Sequence, residues 1–228
     1  MWRITPIGDS ITEDTCGPQL LSQMLIQAGR TNFVFVGTET NNQSCNGAPT
    51  VESEGHAGFC VSDLIPGLQH YSVANDSGSE YLPAWAANDK SDVLLMQFGT
   101  NDAWNSVATQ TILEGYSLVL SDYRATNPNV IMFVAQITPL YPDPSKYSCP
   151  NCEANVVALN SAIPGWATSQ STTSSPVYVV DLFDQFNPPS DYTVANGKWT
   201  ADGVHPNLTA AQLIATAWYN AIVAQGIP

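Results

Sequence analysis

Four side chains in this sequence have types and surroundings that can do chemistry together. They are the Ser10 hydroxyl, the Asp202 carboxylate three residues ahead of the His205 imidazole, and the Asn101 amide. Ser10 lies in Gly8-Asp9-Ser10-Ile11-Thr12-Glu13, directly after an apolar segment, where Gly8 lets the chain turn and the hydroxyl projects from a strand end. Gly, Asp and Ser are also ordinary turn residues, so plain punctuation is the competing reading. In Asp202-Gly203-Val204-His205-Pro206 the spacing can set the carboxylate beside the ring N–H, holding the tautomer whose other nitrogen accepts a proton from a serine. A capping loop with a surface histidine is the alternative there. Asn101, in Phe98-Gly99-Thr100-Asn101-Asp102, is a candidate donor to a developing oxyanion, and so is the N–H of Gly58 in Glu54-Gly55-His56-Ala57-Gly58. Either residue alone also reads as a loop residue.

These residues need a scaffold that brings distant loops together. Five apolar segments rich in β-branched or aromatic residues, 3–7, 32–36, 92–98, 130–135 and 177–182, have the character of buried parallel strands. Helical patterns alternate with them over 18–28, 112–125, 152–168 and 208–224; the first carries Leu20, Leu21, Met24 and Leu25 on one face. Alternating strands and helices predict an α/β, doubly wound, flavodoxin-like sandwich with a central five-stranded parallel sheet flanked by helices, in a single domain spanning 1–228. Ligands of such folds gather at the carboxyl ends of the strands, where both Ser10 and Asn101 fall. Three long connections, 38–60, 138–151 and 183–205, complete the chain.

Composition narrows the partners. The 228 residues carry 20 acidic and 6 basic side chains, a net charge of −14, too few cations to engage a phosphate backbone or an anionic membrane. Charged residues are 11% of the total, against roughly 25% in ordinary domains, and Ser, Thr, Asn, Gln and Gly take their place. Such a neutral, hydrogen-bonding surface suits sugars. No run reaches the roughly 18 apolar residues of a membrane helix. Met1 leads straight into a strand, and the expectation is a mature secreted domain whose signal peptide the initiator has replaced.

Five cysteines allow at most two disulfides. Cys149-Pro-Asn-Cys152 is the obvious local pair; a redox motif or half of a zinc site would need partners that the sequence lacks. Cys16, Cys45 and Cys60 leave three pairings open. Sequons at Asn42, Asn75 and Asn207 agree with an extracellular setting, although Asn207 is also placed to cap the last helix, where a glycan would crowd the His205 loop. No metal or cofactor is required by this chemistry, and the acidic loops hold no spaced ladder of Asp and Asn, so any calcium would be structural.

Taken together, the four blocks around Ser10, Gly58, Asn101 and His205 resemble the SGNH (GDSL) hydrolase superfamily over residues 3 to 225. Their flanking residues look most like carbohydrate esterase family three, typified by secreted acetyl xylan esterases. The resemblance implies Ser10 as nucleophile, Asp202 and His205 as its partners, and an oxyanion hole from the Ser10 and Gly58 N–H groups and the Asn101 side chain. It also implies a secreted serine esterase that removes acetyl groups from an acetylated polysaccharide, most of all acetyl xylan; a monomer is the separate expectation. The alternatives are a broad short-chain or lipid-directed esterase and, in another class, a non-catalytic sugar-binding module.

Phe59 is a candidate wall for the acyl group, and Trp104 and Trp199 are candidate surfaces for a sugar ring; core packing is the competing reading for all three. His56 and His70 read as loop or surface histidines. Asp9 and Asp102 read as supports of their own turns.

Overall fold

A computed structural model of the chain describes residues 1–41, 43–68, 81–186 and 189–227. Asn42, His70 and Asn75 lie outside them.

The chain opens with β1 (Trp2–Gly8), a one-turn α1 (Ser10–Glu13), α2 (Gly17–Gln27), β2 (Phe33–Phe35), β3 (Glu39–Asn41) and β4 (Val51–Gly55). It continues through α3 (Tyr81–Asp89), β5 (Val93–Gln97), α4 (Thr100–Trp104) and α5 (Thr109–Thr126). The last elements are β6 (Ile131–Gln136), α6 (Cys152–Gln170), β7 (Val177–Asp181) and α7 (Leu208–Ala224). Among the described residues seven strands form one sheet in the order β3-β4-β1-β5-β6-β7, with β2 also paired to β1. All pairs are parallel except β3 with β4.

The five expected strands are thus present, and the sheet is extended by β3 and β4, which lie inside the segment expected to be a long loop. Apolar patterning does not betray them because their inward positions include Asn41, Ser53 and Glu54, buried polar residues with hydrogen-bond partners in place of apolar packing.

Alternation along the central strands feeds two cores. Leu94, Met96, Met132 and Val134 point to the face covered by α3, α5 and α6, while Val93, Leu95, Phe133 and Ala135 point to the face covered by α2 and α7. Both faces are therefore sealed, as a parallel sheet requires. α7 starts where Asn207 caps it, its side-chain oxygen accepting from the Ala210 N–H at 3.1 Å, a contact worth about 1 kcal/mol. The Asn207 amide donates to Lys198 O at 2.9 Å, so both polar ends of this sequon residue are engaged within the fold.

Cys149 pairs with Cys152, and Cys16 pairs with Cys45, resolving the choice that the spacing left open. Cys60 remains a buried free thiol whose pKa is driven upward, first by burial and then by neighbouring carboxylates, which leaves it a poor nucleophile. No helix among the described residues is long and apolar enough to cross a membrane.

Candidate active site

Strand register explains why three sequence-distant loops meet. Gly8, the last residue of β1, is opposite Gln97 of β5 on one side and Gly55 of β4 on the other. The residues that follow these three parallel strands, Ser10, Asn101 and Gly58, therefore emerge at the same sheet edge. This is the switch point of the topology, where the chain winds away from β1 in both directions.

Ser10 begins α1 behind Asp9, whose carboxylate caps the turn by accepting from the Ile11 N–H at 3.0 Å. Gly8 is required just ahead of it: a Cβ there would strike the Thr12 hydroxyl and lie 2.6 Å from Gln97 O. The Ser10 Oγ stands 2.8 Å from His205 Nε2, and His205 Nδ1 stands 2.6 Å from Asp202 Oδ2. The other oxygen of Asp202 accepts from the Val204 and His205 N–H groups, each at 2.8 Å, and from the Thr200 hydroxyl at 2.9 Å. Partial burial raises the pKa of this carboxylate, but the hydrogen bonds from the His205 ring, the two N–H groups and Thr200 outweigh it and hold the value down at about 2.

Thr200 also accepts from the Asp202 and Gly203 N–H groups, at 3.2 and 3.0 Å, which closes the turn. At Gly203, φ is +82°, and a Cβ would collide with Tyr141 O, so this loop can seat only with glycine at that position. The hydroxyl, imidazole and carboxylate singled out in the sequence are brought into one hydrogen-bonded line.

On the far side of Ser10 the segment 55–60 is held from two helices. The His56 N–H donates to Gly8 O at 2.9 Å, and the Ala57 N–H donates to the Glu13 carboxylate of α1. From α4, the Asn101 amide donates to Phe59 O at 3.0 Å, using one of its two N–H bonds; the other has no partner among the described residues. Asp102 accepts from the Val61 and Ser62 N–H groups at 2.9 and 3.0 Å and anchors the short 3-10 helix Val61–Leu64. Gly58 sits within this clamped turn, and its N–H donates to no atom among the described residues.

The remaining candidates divide. Phe59 and Trp104 are half-buried at this edge, both packed on the core beneath α5 and α6. Trp199 is not a free surface: its ring meets Phe186 edge-on at 5.6 Å and Lys198 Nζ stands 4.4 Å above it, so both contacts commit it to its own lobe. His56 is not a surface histidine. Its ring stacks on Trp85 with centroids 4.1 Å apart, and its Nε2–H donates to the buried Glu54 carboxylate at 2.9 Å. Sequence signals pointed to neither Thr200 nor Glu13; the only hint was their position within one turn of Asp202 and Ser10. Among the described residues no three His, Cys, Asp or Glu side chains are grouped to hold a metal ion.

Asp9 gives a pH-dependent expectation. Burial raises its pKa from 3.8 to about 6, offset in part by the Ile11 N–H and the nearby Thr100 hydroxyl. A carboxyl whose folded value lies above its unfolded one stabilises fully below the unfolded value, and that stability is lost as pH rises through the folded value. Asp9→Asn keeps the cap acceptor and cannot ionise. Its Tm relative to the native chain is therefore expected to climb between about pH 4 and about pH 7; a difference that stays flat across that window in a thermal-unfolding series contradicts the shift.

Comparisons with known proteins agree with this geometry. The family described as GDSL-like lipase/acylhydrolase matches residues 7–213. Among solved structures, the chain is similar to a carbohydrate esterase family 3 protein from Talaromyces cellulolyticus, with 29% identity and a TM-score of 0.78 over 99% of this chain and 98% of that one. It is similar also to an acetyl esterase mutant crystallised with acetate ion, at 28% identity and TM-score 0.74, covering 99% and 98% of the two chains. A family 3 carbohydrate esterase from Clostridium thermocellum shares the fold at 23% identity and TM-score 0.70, covering 98% and 96%. No match is found among curated proteins.

Proposed function

Since the chain belongs to the GDSL-like lipase/acylhydrolase family and is by that membership an ester hydrolase, we propose that it is a secreted esterase that removes acetyl groups from an acetylated polysaccharide, acetyl xylan foremost. The observation that carries this reading is the line Ser10 Oγ, His205, Asp202 at 2.8 and 2.6 Å. His205 Nε2 takes the Ser10 proton as Oγ attacks the ester carbonyl, and Asp202 holds the ring in the accepting tautomer and stabilises the imidazolium that forms. The proton then passes to the departing sugar oxygen, leaving an acetyl group on Ser10. Water, activated by the same imidazole, releases acetate and restores the hydroxyl. Because the Asp202 pKa is held at about 2, the carboxylate stays ionised throughout the working range and does not itself take the proton.

The oxyanion is received by the Ser10 N–H, the Gly58 N–H and the free N–H of the Asn101 amide. Phe59, next in chain to Gly58, bounds the acyl group. Asn101→Ala is expected to lower kcat on a small acetyl ester by about 100- to 1000-fold while the protein stays folded, and near-native turnover would remove the donor role.

Acetylated polysaccharide is favoured over other esters by three features. Of the similar solved structures, a carbohydrate esterase family 3 protein and an acetyl esterase share 29% and 28% identity with this chain, whereas a lipase/acylhydrolase from Enterococcus faecalis of like length shares 18%. The Asp202 and His205 side chains are 43% and 42% exposed, an open site that a bulky polymer can approach. A net charge of −14 repels a polyanion such as deacetylated pectin at low salt and leaves neutral xylan unaffected. The two disulfides suit an oxidising, extracellular setting. The test is acetate released from acetylated xylan, compared with acetylated pectin and with aryl esters of increasing chain length. Release from xylan with turnover confined to short acyl groups is expected; preference for long chains overturns the reading in favour of a lipid-directed esterase.

A further inference from the structure

The connection between β6 and α6, residues 137–151, crosses the rim of the site from the His205 side to the Asn101 side. At one end the Tyr141 N–H donates to Gly203 O at 2.8 Å and the Asp143 N–H to Asp202 O at 3.3 Å, tying it to the loop that carries the imidazole. At the other end the Tyr147 ring stands against Trp104, centroids 5.5 Å apart and planes at 76°. The Cys149–Cys152 disulfide then pins the segment to the first residue of α6, and Asn155 of that helix donates to Ala103 O at 2.8 Å, beside Trp104. Pro139, Pro142, Pro144 and Pro150 fix φ at four positions along it, so little of its conformation is left to be ordered by a ligand.

Trp104 lies three residues after Asn101 on α4, within one helical turn of the amide that donates to Phe59 O at the site edge. Its ring is half-buried against the core, whereas Tyr147 is 49% exposed. Planes set at 76° do not stack; they make a corner in which a rigid ring resting on one aromatic meets the other from the side. Asn105 and Ser106, both exposed, follow Trp104 directly. The Asn105 amide donates to Asn101 O and Cys60 Sγ and the Ser106 hydroxyl accepts from Asn155, so the Asn105 side-chain oxygen and the Ser106 O–H are the groups they put at its margin. An apolar corner with a polar margin matches a pyranose, which has C–H faces and hydroxyls around its rim. An acyl chain would instead call for a continuous apolar trough.

We propose that Trp104 and Tyr147, held as a corner by the disulfide-pinned segment 137–151, form a subsite for a sugar ring of the polysaccharide adjoining the residue that bears the scissile acetyl group. The proposal rests on the polysaccharide reading above and adds to it the element that grips the polymer.

The test uses the full chain and acetylated xylo-oligosaccharides. Tyr147→Ala is expected to raise KM by about 5- to 10-fold, the range that a single aromatic ring contact supports, with kcat within about twofold of native. Tyr147→Phe, which keeps the ring, is expected to restore the native KM. Titration with an unacetylated xylo-oligosaccharide is expected to quench tryptophan fluorescence in the native chain and to do so more weakly in Tyr147→Ala. A native KM in Tyr147→Ala overturns the subsite alone, as does a fall in kcat and Tm together that Tyr147→Phe also shows. If the native chain cleaves aryl acetates but releases no acetate from any acetylated sugar, the polysaccharide reading fails and the subsite fails with it.

Discussion

Ser10→Ala is expected to lower kcat on acetyl esters by about 10⁶-fold, the scale seen when a nucleophile is removed from a serine–histidine pair, and to abolish any burst of acyl-enzyme. The loss is chemical and not structural. Ser10 is the first residue of α1, the turn is capped by Asp9, and the only hydrogen bond that its hydroxyl makes among the described residues goes to His205. Alanine is well suited to a helical position, so Tm is expected to remain close to native. Other hydroxyls nearby offer no substitute: Thr12 is buried beneath Gly8, and Ser62 is fully buried behind Asp102. Labelling of the native chain by a fluorophosphonate, mapped to Ser10 and absent from Ser10→Ala, is the matching direct measurement. A Ser10→Ala protein that still accumulates acyl-enzyme overturns the assignment, and a native chain that takes no label restores the reading of a non-catalytic sugar-binding module.

The parts of this design legible in the sequence are those whose cause is local. Segments such as Val93-Leu94-Leu95-Met96 read as buried strands, because both faces are apolar and the run is short. Ser10 and Asn101 stand out because each follows such a run by a few residues, and the parallel register of β1 with β5 then makes them neighbours. The Asp202 and His205 spacing is likewise contained in a single turn.

What escaped was fixed by partners far along the chain. α3 has buried residues at Leu82, Trp85, Ala86 and Asp89, a helical spacing, but Pro83 near its start reads as a breaker although the first turn tolerates it. His56 acquires its role from Trp85, and Trp199 loses its own to Phe186 and Lys198; nothing adjacent to either residue distinguishes the two fates. The same holds for Cys16 and Cys45, whose approach to a Cα–Cα distance of 5.5 Å depends on α2 and β3 being folded together. Tyr147 reads as a loop tyrosine until the disulfide and Trp104 give it a fixed orientation.

Asp202→Asn isolates the contribution of the carboxylate from that of the loop that holds it. The amide oxygen of Asn can keep the contacts that Oδ1 now makes with the Val204 and His205 N–H groups and the Thr200 hydroxyl, so the turn around Gly203 is expected to survive. The amide nitrogen then faces His205 Nδ1, where Oδ2 stands at 2.6 Å in the native chain. Two N–H donors cannot share that gap, and the ring relieves the clash by carrying its proton on Nε2 instead. In that tautomer it can no longer accept from Ser10 Oγ. The expected loss in kcat is about 10⁴-fold with KM little changed.

A stability signature accompanies it. The folded pKa of Asp202, about 2, lies below the ordinary carboxylate value of 3.8, so its contribution is present above the unfolded value and is lost as pH falls through the folded one. The Tm deficit of Asp202→Asn should therefore shrink as pH is lowered from about 5 toward about 2. Kinetics at neutral pH together with a pH series of melting curves separate the two effects. Turnover within tenfold of native would mean that His205 is oriented by something other than Asp202.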